Sequence, residues 1–187
     1  MADERHTCQR AARAMNRWLL RSRVLVAITL AVFACIVAFE LPASPAASVH
    51  FLERTGSPPF DERPAGYTLS GALHDFRALG PDGLADYTAY RSLDLVFPWL
   101  LCGLVAAVML RLQAVRATMW PWLAALADTA ENVALWRMLL TRDELSPELV
   151  IWASRLTQLK FALYGIMLAM LLAVGARELW RTRRNGG

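Results

Sequence analysis

Cysteine and histidine are scarce in this chain of 187 residues, and their placement excludes several kinds of enzyme. Cys8, Cys35 and Cys102 are too few and too scattered for a disulfide framework, and none forms the C-x-x-C pair of a thiol oxidoreductase or zinc site. The three histidines lie outside the apolar segments, and no H-E-x-x-H, G-x-S-x-G or P-loop motif occurs. We therefore expect no metal and no cofactor.

Charged residues are also few, and nearly all the positive ones are arginine. Hydrophobic residues make up 56% of the chain and charged residues 19%, whereas soluble domains have about 45–50% and about 25%. Of the 20 basic residues only Lys160 is a lysine. Because the arginines flank apolar stretches, they indicate contact with an anionic membrane face rather than with nucleic acid.

Four stretches are long and apolar enough to be membrane-spanning helices, which need about 20 such residues. They are residues 24–41, 94–112, 119–141 and 148–176. The third has polar interruptions. The sequence thus predicts an all-α fold, an integral membrane four-helix bundle that forms one membrane domain over residues 1–187.

The distribution of arginine predicts the orientation, since cytoplasmic loops are enriched in Lys and Arg. Twelve of the nineteen arginines lie in residues 1–23, 111–116 and 177–187. We expect both termini to be cytoplasmic, in a bacterial inner (plasma) membrane, with anionic lipid headgroups as partners. Cleavage of the first span as a signal peptide is left open, because small residues follow it.

Residues 42–93 are predicted to be extracytoplasmic. Prolines crowd the first half, which favours irregular structure. In the second half, Thr68 is placed to cap a short amphipathic helix between helices 1 and 2 that ends at residues 80–83. This helix is either a packed connector or a substrate lid. Further on, Pro98 deprives the carbonyl of Asp94 of its helical donor, which predicts a kink.

Charged residues inside the third and fourth spans are the main candidates for a functional site. Asp128, Glu131 and Asn132 share one helix face, near the middle of the bilayer. A charge there costs roughly 2.5–3.5 kcal/mol, so partners are required. Lys160 lies at the same depth in the antiparallel fourth span, and an ion pair with the two acids is expected.

Two arginines nearer the extracytoplasmic side, Arg137 and Arg155, need an acceptor, and Asp94 is the available carboxylate. Thr157 and Tyr164 lie on the same stripe as Lys160. We call the whole set the polar seam. It comprises Asp94, Asp128, Glu131, Asn132, Arg137, Arg155, Thr157, Lys160 and Tyr164.

Three motifs resemble a known pattern: the stretch 121–132 with its D-x-x-E-N spacing, the triplet 66–68, and residues 93–98. Together they are similar to uncharacterised bacterial membrane proteins with four helices. The resemblance covers residues 67–160. It implies the topology and the polar seam, and it carries no established activity.

Three functions fit the polar seam. The seam can hold the helix bundle together and bind a small polar or lipid ligand. It can form a proton-coupled small-solute transporter, which would need a homodimer because four helices barely enclose a path. It can also serve a lipid- or isoprenoid-modifying enzyme in which a carboxylate acts as acid or base. A divalent metal bound by Asp128 and Glu131 is disfavoured, because Lys160 competes for the same charge.

Overall fold

The structure, a computed structural model, describes residues 22–185. Most of the predicted cytoplasmic N-terminus, with Cys8, lies outside the described residues. Every regular element of the described part is helical. The helices are α1 (Ser22–Glu40), α2 (Ser48–Thr55), α3 (Leu69–Asp94), α4 (Phe97–Arg111), α5 (Met119–Leu140) and α6 (Pro147–Asn185), with 3₁₀ turns at Phe60–Glu62, Val115–Thr118 and Arg142–Glu144.

Three helical stretches are long and apolar enough to cross a membrane: Arg23–Glu40, Leu69–Arg111 and Pro147–Arg184. The prediction of an all-α fold is therefore confirmed for the described residues, which contain three candidate membrane spans. Helix α5, which corresponds to the third of the four predicted spans, is not among these three. Its 22 residues are long enough to span, but Asp128, Glu131 and Asn132 lower its hydropathy.

Helix α3 begins where the sequence predicts and continues further. The hydroxyl oxygen of Thr68 accepts a hydrogen bond from the backbone N–H of Gly71, 3.2 Å away, which confirms the predicted cap. At Gly80 the backbone adopts φ +62°, a conformation that favours glycine. The chain kinks there instead of ending, because Pro81 suits the first turn of a new helical segment.

Near Pro98, where a kink is predicted, the structure has a break between α3 and α4. Helix α3 ends at Asp94, and α4 begins at Phe97 with the proline in its first turn. A proline fits there because its missing N–H would have no helical partner. The carboxylate of Asp94 is thereby placed at a buried helix end rather than inside a continuous span.

The segment that connects α1 to α3, residues 41–68, is more ordered than its prolines predict. We call it the connecting segment. It contains helix α2, whose Phe51 is buried against the ring of Phe60 at 5.5 Å and the ring of Tyr87 at 4.9 Å. This aromatic packing against α3 explains why the first half, predicted to be irregular, contains a short helix among its turns. Buried rings supply enough apolar area to order a Pro-rich chain.

Helices α5 and α6 make the most extensive helix–helix contact of the described residues. Ala124 and Ala125 of α5 are fully buried and pack with Cys102 of α4 and Met167 of α6. Small residues let helix backbones approach in a membrane environment. The polar residues of α5 are therefore presented directly to α6.

Candidate functional site

The predicted ion pair between α5 and α6 is present. The ammonium nitrogen of Lys160 lies 2.6 Å from one carboxylate oxygen of Glu131, and Glu131 is completely buried. The other oxygen of Glu131 accepts a hydrogen bond of 2.5 Å from the hydroxyl of Thr157. Both carboxylate oxygens are thus engaged, as a buried charge requires.

A second buried cation, Arg91 of α3, was not among the predicted site residues. Its side chain is completely buried. One terminal nitrogen lies 2.9 Å from Asp61 and 3.1 Å from Asp94, and the other donates a hydrogen bond to the amide oxygen of Asn132. Arg91 therefore joins the connecting segment, the end of α3 and the middle of α5 through one guanidinium group.

Asn132 donates to the carboxylates on either side of it. Its amide nitrogen lies 3.1 Å from a carboxylate oxygen of Asp94 and 3.0 Å from one of Asp128. It also lies 3.3 Å from the backbone carbonyl of Asp94, the acceptor that Pro98 cannot serve. Asn132 of the D-x-x-E-N motif thus supplies the hydrogen bond that the Asp94 carbonyl lacks at the break between α3 and α4.

Asp61, in the 3₁₀ turn of the connecting segment, contacts both buried cations, Arg91 and Lys160. Its backbone carbonyl accepts a hydrogen bond of 2.9 Å from Lys160, and its carboxylate accepts one of 2.7 Å from the hydroxyl of Tyr90. Burial alone would raise the pKa of Asp61, but the positive charges of Arg91 and Lys160 outweigh burial and lower it.

The neighbouring carboxylate, Glu62, lies at the edge of the site. The hydroxyl of Tyr90 is 3.1 Å from one of its oxygens. Desolvation, and then the charge of Asp61, raise the pKa of Glu62. The pKa values of these two consecutive acids therefore shift in opposite directions, because only Asp61 contacts the buried cations.

The polar seam is partly assembled as predicted. Asp128 accepts a hydrogen bond of 2.9 Å from the hydroxyl of Tyr164. Arg137 and Arg155 are exposed and lie on the outside of the bundle. Asp94, expected to accept from them, instead pairs with Arg91. The structure brings together seven of the nine residues, and these are Asp94, Asp128, Glu131, Asn132, Thr157, Lys160 and Tyr164.

With the residues that were not predicted, these side chains form one contiguous network, which we call the charge cluster. The additions are Asp61, Arg91 and Tyr90. One signal in the sequence could have found Arg91, since Tyr87, Arg91 and Asp94 share a face at helical spacing. No local pattern marks Asp61, whose position depends on the fold of the connecting segment.

A cavity of about 280 Å³ opens beside the charge cluster, between α1, α3, α5 and α6. Its walls combine acidic groups with aromatic rings. The acidic groups are Glu40, Asp61, Glu62, Asp94 and Asp128, and the rings are Phe39, Tyr90, Phe97, Phe161 and Tyr164. Among the residues that the structure describes, Lys160 is the one cation of the lining. We call this space the acidic cavity.

Carboxylates outnumber cations around the acidic cavity even when the residues behind its wall are included. Glu131 adds a sixth acid, and Arg91 adds a second cation. Among the described residues, these six acids and two cations leave an excess of four negative charges if every group is ionised. Within residues 22–185, no group of three or more His, Cys, Asp and Glu side chains is arranged to hold a metal ion.

Comparison with known proteins assigns no family to this chain. No protein-family model, no curated protein and no solved structure matches it. Function must therefore be argued from the geometry of the charge cluster and the acidic cavity.

Proposed function

We propose that the protein is a four-span membrane protein that binds a small organic cation in the acidic cavity. The lining of that cavity is the observation that carries the proposal, because carboxylates and aromatic side chains line one space. Aromatic rings attract cations through the negative charge of their faces. Carboxylates supply the neutralising charge. The charge cluster gives this cavity its shape.

The placement of side chains on α5 supports a fourth span. The acids Asp128 and Glu131 are buried against the neighbouring helices, whereas Leu126 and Val133 are more than half exposed. At 1.5 Å per residue, 22 residues extend about 33 Å, close to the thickness of the hydrocarbon layer. A helix that turns its two acids inward and apolar side chains such as Leu126 and Val133 outward is suited to lipid.

Labelling of single cysteines with a membrane-impermeant maleimide tests the topology. The native cysteines are replaced by serine, and one of Glu53→Cys, Val115→Cys or Ser146→Cys is introduced at an exposed position. Four spans with cytoplasmic termini predict that right-side-out vesicles label at 53 and 146 but not at 115. Labelling of 115 and 146 from the same side would show that α5 does not cross.

The ion pairs of the charge cluster stabilise the fold and, with it, the cavity. Removing one partner of a buried pair leaves an uncompensated charge. By contrast, Glu40 and Glu62 are exposed at the edge of the cavity and do not contact the buried cations. Exposed carboxylates of this kind attract a cationic ligand from solution. Substitution of these two residues therefore tests ligand binding while leaving the buried pairs intact.

Choline and its uncharged isostere 3,3-dimethylbutanol are matched probes for the purified full-length protein. We expect choline to raise the melting temperature and the isostere to leave it unchanged, since only choline carries the charge. Glu40→Gln combined with Glu62→Gln should weaken choline binding roughly fivefold to tenfold.

The control for this experiment is Glu53→Gln combined with Glu144→Gln, which removes two exposed carboxylates away from the cavity. Its choline affinity should equal that of the unmodified protein. Equal stabilisation by choline and by the isostere, or no stabilisation by choline, would contradict the proposed function.

A further inference from the structure

A second cavity, of about 450 Å³, lies at the opposite end of the bundle from the connecting segment. It is formed where the link between α4 and α5, residues 112–118, approaches α6. Gln113, which lines this cavity, has φ +56°, a left-handed backbone conformation that is uncommon for residues other than glycine. The cavity shares no residue with the acidic cavity.

The lining of this second cavity is amphipathic. Two guanidinium groups, those of Arg116 and Arg177, accompany the apolar side chains of Val115, Met170 and Val174. Val174 is buried, whereas both arginines and Val115 are exposed. Among residues 22–185, neither arginine forms an ion pair. Both charges are therefore available to an anion that also presents an apolar part.

We propose that this cavity is a binding site for one anionic phospholipid, with the headgroup phosphate between Arg116 and Arg177. Basic pockets between transmembrane helices are suited to anionic headgroups, and guanidinium groups bind phosphate oxygens in a planar, paired geometry. The acyl chains lie along Met170 and Val174, on the membrane side of the arginines. Because the arginines come from α6 and from the link before α5, the lipid connects two helices.

The site depends on the protein being embedded in a membrane and is independent of the acidic cavity. Both arginines are exposed, so their replacement should leave the fold intact. Binding at one site is distinct from general attraction of the arginines near the end of α6 to an anionic surface. A discrete site requires these two positions and one lipid per chain.

Native mass spectrometry of the full-length protein, released from nanodiscs of phosphatidylglycerol and phosphatidylcholine, tests the site. We expect one phosphatidylglycerol retained per chain in the unmodified protein. Arg116→Gln combined with Arg177→Gln should weaken retention at least roughly tenfold without changing the melting temperature. Arg183→Gln combined with Arg184→Gln, which removes two other arginines of the same end, should retain the lipid.

Three results would overturn the lipid site. The first is unchanged retention in the Arg116 and Arg177 variant. The second is an equal loss in the Arg183 and Arg184 variant, which would indicate general surface attraction. The third is displacement of the lipid by millimolar inorganic phosphate, which would indicate a site for a free anion. None of these results bears on choline binding, so the two proposals fail separately.

Discussion

The ammonium group of Lys160 donates a hydrogen bond of 2.9 Å to the backbone carbonyl of Asp61, which lies 99 residues earlier in the chain. The same ammonium group pairs with Glu131. One lysine therefore holds the connecting segment and α5 against α6. Its replacement should disturb both contacts together.

Replacing Lys160 with methionine should destabilise the protein by about 3–5 kcal/mol, because Glu131 remains buried without its partner. The double variant Lys160→Met with Glu131→Gln should be more stable than the single one, since the unpaired charge is gone. Thermal unfolding of the purified variants measures both effects. A coupling energy below about 0.5 kcal/mol would indicate that the two side chains do not interact.

Replacing Arg91 with methionine should release the connecting segment. The variant leaves Asp61 and Asp94 as two buried acids without their shared cation. We expect faster proteolysis within residues 41–68 and a destabilisation of about 3–5 kcal/mol. Arg54→Met is the matched control, because its ion pair with Asp86 is partly exposed and 3.6 Å long. That control should change stability by about 1 kcal/mol or less.

Gly66 and Gly56 offer a matched pair of glycines in the connecting segment. Both have positive φ, +81° and +72°. A Cβ atom on Gly66 would overlap the hydroxyl oxygen of Ser154, whereas one on Gly56 would meet nothing within 4 Å. Gly66→Ala should therefore destabilise the protein more than Gly56→Ala, by about 1–3 kcal/mol.

Thermal unfolding of the two alanine variants measures that difference. The Gly56 variant reports the backbone strain alone, at about 1 kcal/mol. Equal melting temperatures would contradict the close approach of residue 66 to α6. The hydrogen bond of 3.0 Å from the backbone N–H of Tyr67 to Ser154 should weaken in the Gly66 variant.

The raised pKa of Glu62 predicts a dependence of stability on pH. Folding favours the protonated form of this side chain, because partial desolvation at the edge of the cavity and the charge of Asp61 oppose its ionisation. Its contribution to stability is complete below the ordinary pKa of about 4.5 and is lost as pH rises through the raised value. The melting temperature of Glu62→Gln, relative to the unmodified protein, should increase between pH 4 and pH 8. Glu53→Gln serves as the control, and the same pH trend in both variants would argue against a role for Glu62.

Much of the helical framework could be predicted because its signals are local. The cap at Thr68 and the break near Pro98 follow from the chemistry of single residues. The pairing of Lys160 with Glu131 could be predicted because both charges lie at one depth in antiparallel neighbours. Each of these inferences needs only spacing and the high energy of an unpaired charge in lipid.

Other parts of the charge cluster could not be predicted, since they depend on how the connecting segment folds. Asp61 reaches Arg91 only because Phe51 and Phe60 pack on α3 and hold the segment against the bundle. The prolines do not predict that packing, because they indicate where regular structure ends but not the path of the chain beyond it. The same limit explains Arg137 and Arg155, since depth alone does not decide which face of a helix meets its neighbours.

The connecting segment is fastened by charge rather than by a covalent bond. A disulfide restricts the chain before it folds, whereas the contacts of Asp61 exist only after Arg91 and Lys160 are in place. During synthesis, residues 41–68 emerge long before α6. They can become fully ordered only after that helix has been made. Once formed, the ion pair of Asp61 with Arg91 is weakened by acid, which protonates the carboxylate, but not by a reducing agent. The redox state of the surroundings therefore has no influence on it.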